Sequence, residues 1–176
     1  MHPLLQILKN HPEVFTSELQ LKRNEYLKVK GTIDTHIYLV QEGCLRVFIE
    51  DEFEEHTIRF GYEGNFIAAL DSYISGKPSP FYIQALRQTQ LDVITKGNFE
   101  NLIRSKQEYM EVWHQIMSQL IYQQMEREID ILTYSPAERY RRVLERSPQL
   151  FQEVPSKYIA SYLRMTPETL SRLKKS

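Results

Sequence analysis

The spacing of hydrophobic and polar residues changes character three times along this 176-residue chain. Residues 4–9 predict a short opening helix, after which alternation with period two dominates from about Glu25 to Thr95 and predicts strands. His36–Val40 and Leu45–Glu50 flank Glu42-Gly43, and Asp51–Glu54 separates the second run from Glu55–Phe60, so both junctions read as hairpins. Gly61, Gly64, Gly76, Pro78 and Pro80 mark irregular backbone before two further strands, Phe81–Leu86 and Gln90–Ile94. Such a series of short strands predicts an antiparallel roll or jelly-roll barrel.

The pattern then becomes helical, with Asn98 expected as the cap. From Lys106 to Thr133 there is neither Gly nor Pro, and a single helix over that stretch would be about 40 Å long. Its apolar residues cover more than one stripe. One face suits packing on the roll, while Met110, Met117, Ile121, Met125 and Leu132 line a second seam, which predicts a partner helix from a second copy across a two-fold axis. Ser135-Pro136 caps a further amphipathic helix, Ala137–Arg146. The fold class is α+β, divided into a roll (residues 1–105), a dimerisation helix (106–133) and a C-terminal helical unit (134–176).

That last unit carries the sharpest pattern. Tyr158, Ile159, Tyr162 and Leu163 form an apolar stripe on a short helix, and Ala160 is small enough for another helix to cross closely. After a tight turn, Thr166 suits an N-cap, Pro167 the first helical position and Glu168 the positive helix end. At about 100° per residue, Leu170 and Leu173 point one way, whereas Glu168, Arg172 and Lys175 point the other, flanked by Thr169 and Ser171. A carboxylate accepts from cytosine N4, a guanidinium forks onto guanine O6 and N7, and cations with small hydroxyls suit phosphates. A surface helix with a solvated Glu/Arg pair has the same spacing; the stripe on the preceding helix tips the balance to a helix-turn-helix bound to double-stranded DNA. Thr166, Glu168, Thr169, Ser171, Arg172, Lys174 and Lys175 are its expected contacts, with Glu168 and Arg172 on bases and the two lysines on phosphates.

Charge supports that assignment only when it is divided along the chain. The net charge is −1, yet residues 134–176 hold nine Lys/Arg against four Asp/Glu, while residues 1–133 hold thirteen against nineteen. The basic excess therefore sits with the segment expected to meet phosphates. No apolar run has membrane-spanning length, the start of the chain lacks a signal-peptide pattern, and a cytoplasmic protein is expected. The lone cysteine, Cys44, is expected to be buried and inert.

In their order, these parts resemble the Crp/Fnr superfamily of bacterial transcription regulators. The resemblance is strongest at residues 38–48, at Glu138-Arg139-Tyr140, at residues 158–163 and at residues 166–172. It implies a cyclic-nucleotide-binding-type roll, a homodimer on a palindromic operator, RNA polymerase as a further partner, and base reading by the Glu and Arg four apart, here Glu168 and Arg172. Three departures accompany it. Where nucleotide-binding members have a Gly-Glu pair for the ribose and an Arg-Ser pair for the phosphate, this chain has Ala68-Ala69 and Ser79-Pro80, so cyclic AMP binding is not expected and no cofactor is. Arg164 stands where the turn commonly has Gly. No residues for a wing follow the second helix. Arg46, Arg59 and Arg87, in neighbouring strands, read as arginines on the solvent face.

Two other classes of function differ from this reading in what they require of the sequence. His2, His11, His36, His56 and His114 fall at no metal-ligand spacing and no serine has a nucleophile-elbow context, so an enzyme is not expected. Haem ligation by His36, His56 or Cys44 is disfavoured against ordinary strand roles. The remaining rival is a ligand-sensing or scaffolding roll whose helix-turn-helix serves protein contact.

Overall fold

In the computed structural model, which describes residues 3–175, two antiparallel four-stranded sheets pack into a roll. A helix α1 (Pro3–Lys9) and a single 3₁₀ turn lead into strands β1 (Phe15–Leu21), β2 (Tyr26–Lys28), β3 (Ile37–Glu42), β4 (Cys44–Glu50), β5 (Glu55–Tyr62) and β6 (Phe66–Ile67). Helix α2 (Leu70–Ser75) interrupts them before β7 (Tyr82–Ala85) and β8 (Thr89–Ile94). One sheet has the order β1-β8-β3-β6 and the other β2-β7-β4-β5.

That topology corrects one of the two expected hairpins. β4 and β5 do pair directly across the Asp51–Glu54 turn. β3 and β4, however, belong to different sheets, and Glu42-Gly43 is the corner between them. The cause is local: Gly43 has φ 106°, and a Cβ there would lie 2.4 Å from Thr89 Oγ1 and 2.6 Å from the Gln88 carbonyl oxygen. The chain turns at the one residue that can both adopt that dihedral and pass the 88–89 backbone. The first strand also starts earlier than the alternation indicated, at Phe15.

After the roll, helix α3 (Lys96–Arg104) is capped by Thr95, whose hydroxyl accepts from the Asn98 N–H at 3.2 Å, so Asn98 is the third helical residue and not the cap. Helix α4 (Gln107–Leu132) is the single long helix expected. It is followed by α5 (Pro136–Arg146), α6 (Leu150–Glu153), α7 (Ser156–Tyr162) and α8 (Pro167–Leu173). Ser135 caps α5 by accepting from the Glu138 N–H at 3.3 Å.

Three apolar clusters hold these parts together. One joins α1, α3 and the start of α4 through Leu8, Phe99 and Ile103. Another fills the roll, around Leu45, Ile83 and Leu91. The last is shared, combining Cys44 and Leu86 of the roll with Val143, Ile159, Leu163 and Leu170 of the C-terminal helices. Cys44 is fully buried, and burial pushes its thiol up to about 11, as expected of an inert cysteine. Among the described residues, no helix is long and apolar enough to cross a membrane.

Candidate nucleic-acid interface

The start of α8 is built as its residues dictate. Thr166 has extended backbone (φ −73°, ψ 154°), and its hydroxyl accepts from the Thr169 N–H at 3.2 Å, with Pro167 in the first turn. Glu168 is exposed, and its carboxyl is held below the usual range by a backbone N–H of the helix start, then by the Thr166 hydroxyl and the charge of Arg172. Leu170 is buried against the shared core, whereas Thr166, Glu168, Ser171, Arg172, Lys174 and Lys175 are exposed and Thr169 is half-buried. No Glu168–Arg172 ion pair forms within 4 Å among the described residues, leaving both functional groups directed at solvent. Lys174, an expected phosphate contact, has a partner within the chain. Its ammonium donates to the Ser156 hydroxyl at 2.8 Å and so is turned back toward the start of α7.

The turn before α8 shows how Arg164 replaces the usual glycine. Arg164 is left-handed, with φ 54°. Its N–H reaches the Ser161 carbonyl and the Met165 N–H reaches the Ala160 carbonyl, both at 3.1 Å, the paired bonds of a Schellman cap. A non-Gly residue there costs roughly 1–2 kcal/mol. Buried Arg139, within the Glu138-Arg139-Tyr140 stretch, offsets this cost. Its Nε donates to the Leu163 carbonyl at 2.8 Å and Nη2 to the Arg164 carbonyl at 3.0 Å, while Nη1 donates to the carbonyls of Thr133 and Tyr134. One guanidinium thus ties the link after α4 to the turn of the helix pair.

Helix α7 is seated on the edge strand of the roll. The Ser161 hydroxyl accepts from the Thr57 N–H and donates to the Glu55 carbonyl, each at 3.1 Å, satisfying exposed backbone of β5. Arg164 donates to His56 Nδ1 at 2.7 Å. Arg46 corrects the solvent-face expectation: it is 4% exposed, donates to Gln84 and Glu55, and lies between the rings of Phe48 and Tyr158. Arg59 is half-buried as well, and only Arg87 is exposed. Behind α5, fully buried Asp130 accepts from Arg142 and Arg146, both of which also pair with Glu126.

Of the four positions corresponding to a cyclic-nucleotide cassette, two are buried and two are not. Ala69 is 2% exposed at the start of α2 and Ser79 is 1% exposed, its hydroxyl accepting from the Phe81 N–H; Ala68 is half-buried and Pro80 exposed. Buried Lys28 donates to the carbonyls of Val29 (3.1 Å), Ser79 (3.5 Å) and Phe81 (3.0 Å). Loss of water lowers the pKa of its ammonium.

Along α4, the expected seam divides. Met110 packs on the N-terminal core and Met117 is half-buried beside the roll, whereas Ile121, Met125 and Leu132 stand in solvent, 64%, 56% and 83% exposed. Ile129, which the sequence did not single out for the seam, continues their stripe at 46% exposure.

A roll, a long helix and a capped helix-turn-helix in this order make the architecture that of the Crp/Fnr regulators. Residues 18–106 match the sequence model of the cyclic nucleotide-binding domain, and the chain belongs to that family. No curated protein matches the chain. Among solved structures, it is similar to a CooA mutant from Carboxydothermus hydrogenoformans, with 18% identity, TM-score 0.76, and 98% of this chain and 82% of that one covered. FixK2 from Bradyrhizobium japonicum shows 15% identity, TM-score 0.72, and coverage of 90% and 82%. The catabolite activator protein of Thermus thermophilus shows 17% identity, TM-score 0.60, and coverage of 97% and 81%.

Proposed function

We propose that this protein is a transcription regulator that binds a two-fold symmetric DNA operator as a homodimer, without using a cyclic nucleotide. The observation that carries the proposal is the outward face of α8. Glu168 and Arg172 are exposed, not paired with each other, and held on a helix whose first turn is fixed by Thr166. A helix presented in this way enters a major groove with its N-terminal residues against base edges. Scaffolding by protein contact would require neither the free Glu/Arg pair nor the basic excess of residues 134–176.

Self-association rests on the exposed stripe Ile121, Met125, Ile129 and Leu132, which lies on one side of α4. Two such stripes related by a two-fold axis bury each other and set two α8 helices facing one duplex. Absence of cyclic AMP binding is supported by Ala68-Ala69 and Ser79-Pro80, which bring no carboxylate for a ribose and no guanidinium for a phosphate diester. Gel shifts against genomic fragments test the DNA reading; a protein that retards no fragment at low salt contradicts it.

A further inference from the structure

His56 is a titratable group at the contact between the roll and the helix-turn-helix. It is the second residue of β5, directly after the acidic turn Asp51–Glu54, and its ring has a partner at each nitrogen. Nε2 lies 2.6 Å from the Asp51 carboxylate, and Nδ1 lies 2.7 Å from Nη1 of Arg164, the left-handed residue of the turn between α7 and α8. These partners fix the tautomer. A guanidinium only donates, so Nδ1 accepts and carries no proton; an ionised carboxylate only accepts, so the ring proton sits on Nε2. Asp51 stays ionised, because His56 first and then the N–H groups of Phe53 and Glu54 pull its carboxyl down to about 2. The ring is therefore neutral while Arg164 is bound to it.

A third group stands ready for the other protonation state. Glu54 Oε1 lies 3.7 Å from Nδ1, beyond hydrogen-bond reach but on the side of the nitrogen that Arg164 occupies. Among the described residues no further carboxylate comes within 4 Å of the ring nitrogens; neighbouring Glu55 is turned to Arg46, and Ile49, opposite on β4, is apolar. From the helix pair, Ser161 is occupied by the β5 backbone, and Arg164 has no carboxylate within 4 Å among the described residues.

We propose that His56 is a proton-operated clasp between the roll and the helix-turn-helix. Uncharged, it holds Arg164. When a proton from solvent binds Nδ1, the lone pair that Arg164 uses is gone, two cations face each other, and the new N–H turns to Glu54. A contact made only to the neutral ring contributes fully at high pH and is lost as pH falls through the titration of that ring. Acidification thus frees the turn that carries α8 from one of its ties to the roll. As a control on operator binding the clasp rests on the assignment of α8 to DNA; as a contact it does not.

The experiment is a nitrogen-15 NMR titration of the full chain from about pH 8 to about pH 5, the span in which imidazoles ordinarily change charge. His56 is assigned by the signals that disappear in His56→Gln. At the alkaline end the ring shows the Nε2–H tautomer with a bare Nδ1, and the Arg164 side-chain signals move together with the His56 titration. Arg164→Met removes a competitor of the proton and raises the His56 midpoint by about 0.3–0.7 pH, the equivalent of losing a twofold to fivefold contact. Glu54→Gln lowers the midpoint. In urea unfolding, Arg164→Met lowers the folding constant by about the same twofold to fivefold at the alkaline end and does not lower it at the acid end. Arg164 and Glu54 are both exposed, and the tautomer of the unaltered chain decides even where a variant fails to fold. An Nδ1–H tautomer at the alkaline end, a midpoint that Arg164→Met leaves in place or lowers, a midpoint that Glu54→Gln raises, or an equal loss of stability at both ends overturns the proposal. None of these readouts involves DNA, so failure here is separable from failure of the regulator assignment.

Discussion

Arg164 and Asp51 show two ways in which single residues shape the contact between roll and helix pair. At φ 54°, Arg164 has the dihedral that glycine takes without steric cost, so Arg164→Gly relieves strain while losing one exposed contact to His56. Chemical denaturation should show the variant more stable by about 0.5–1 kcal/mol, and a decrease of that size would mean the His56 contact outweighs the strain. Asp51 caps the β4–β5 turn, accepting from His56 and from the N–H groups of Phe53 and Glu54. His56 first, then those N–H groups, pull its pKa from 3.8 to about 2. Because the folded value is depressed, the cap's contribution is complete above about pH 4 and fades as pH falls toward 2. A carboxyl-carbon NMR titration should find the Asp51 midpoint near 2, whereas a midpoint near 4 would show that the cap is absent in solution. At this scale the sequence is legible where chemistry is local. Thr166 and Ser135 each bond an N–H three residues on, whereas Asn98, expected as the cap of α3, is its third residue and donates its own N–H to Thr95.

Elements were legible where one face alone is buried. α4 and α5 have close to the spans their patterns imply, and α8 buries Leu170 and exposes Glu168 and Arg172 as its periodicity implies, because a helix registers its burial every three to four residues. The β3–β4 junction was not, since strand alternation is the same whether the next strand pairs with its predecessor or crosses to another sheet; the pairing partner is a property of the whole roll. Short β2 and β6, of three and two residues, are too brief to show any alternation. Two predictions belong to this scale. Arg172→Ala should weaken binding to the preferred DNA site by about 1–3 kcal/mol and relax one position of the motif, while Lys175→Ala weakens all sequences evenly and flattens the salt dependence. Equal loss of specificity from both would remove the division between base and phosphate contacts. Ile121→Glu places a charge in the α4 stripe, where burying each such side chain is worth about 1.5–3 kcal/mol, and should convert a dimer to a monomer in light scattering. A wild type already monomeric at micromolar concentration would contradict the seam.

For the molecule as a whole, the shared cluster of Cys44 and Leu86 with Val143, Ile159 and Leu163 makes roll and helix pair one continuous packing unit. The long-range parts of that unit were the least legible. Arg46 and Arg127 carry no local signal of burial, and the surroundings that bury them exist only once β4, β5, α4 and α7 come together. Calorimetry with cyclic AMP and cyclic GMP should show no binding, and micromolar affinity for either would mean that another cation has taken over the phosphate-binding role of the missing arginine. The central assignment is tested most directly by selecting bound fragments from random duplex DNA and sequencing them. It predicts enrichment of one inverted repeat whose half-sites are centred about one helical turn, roughly 10 bp, or a multiple of it apart, with enrichment abolished by Arg172→Ala together with Glu168→Ala. Recovery of no enriched sequence from folded protein, or of a motif unchanged by that double substitution, would contradict it.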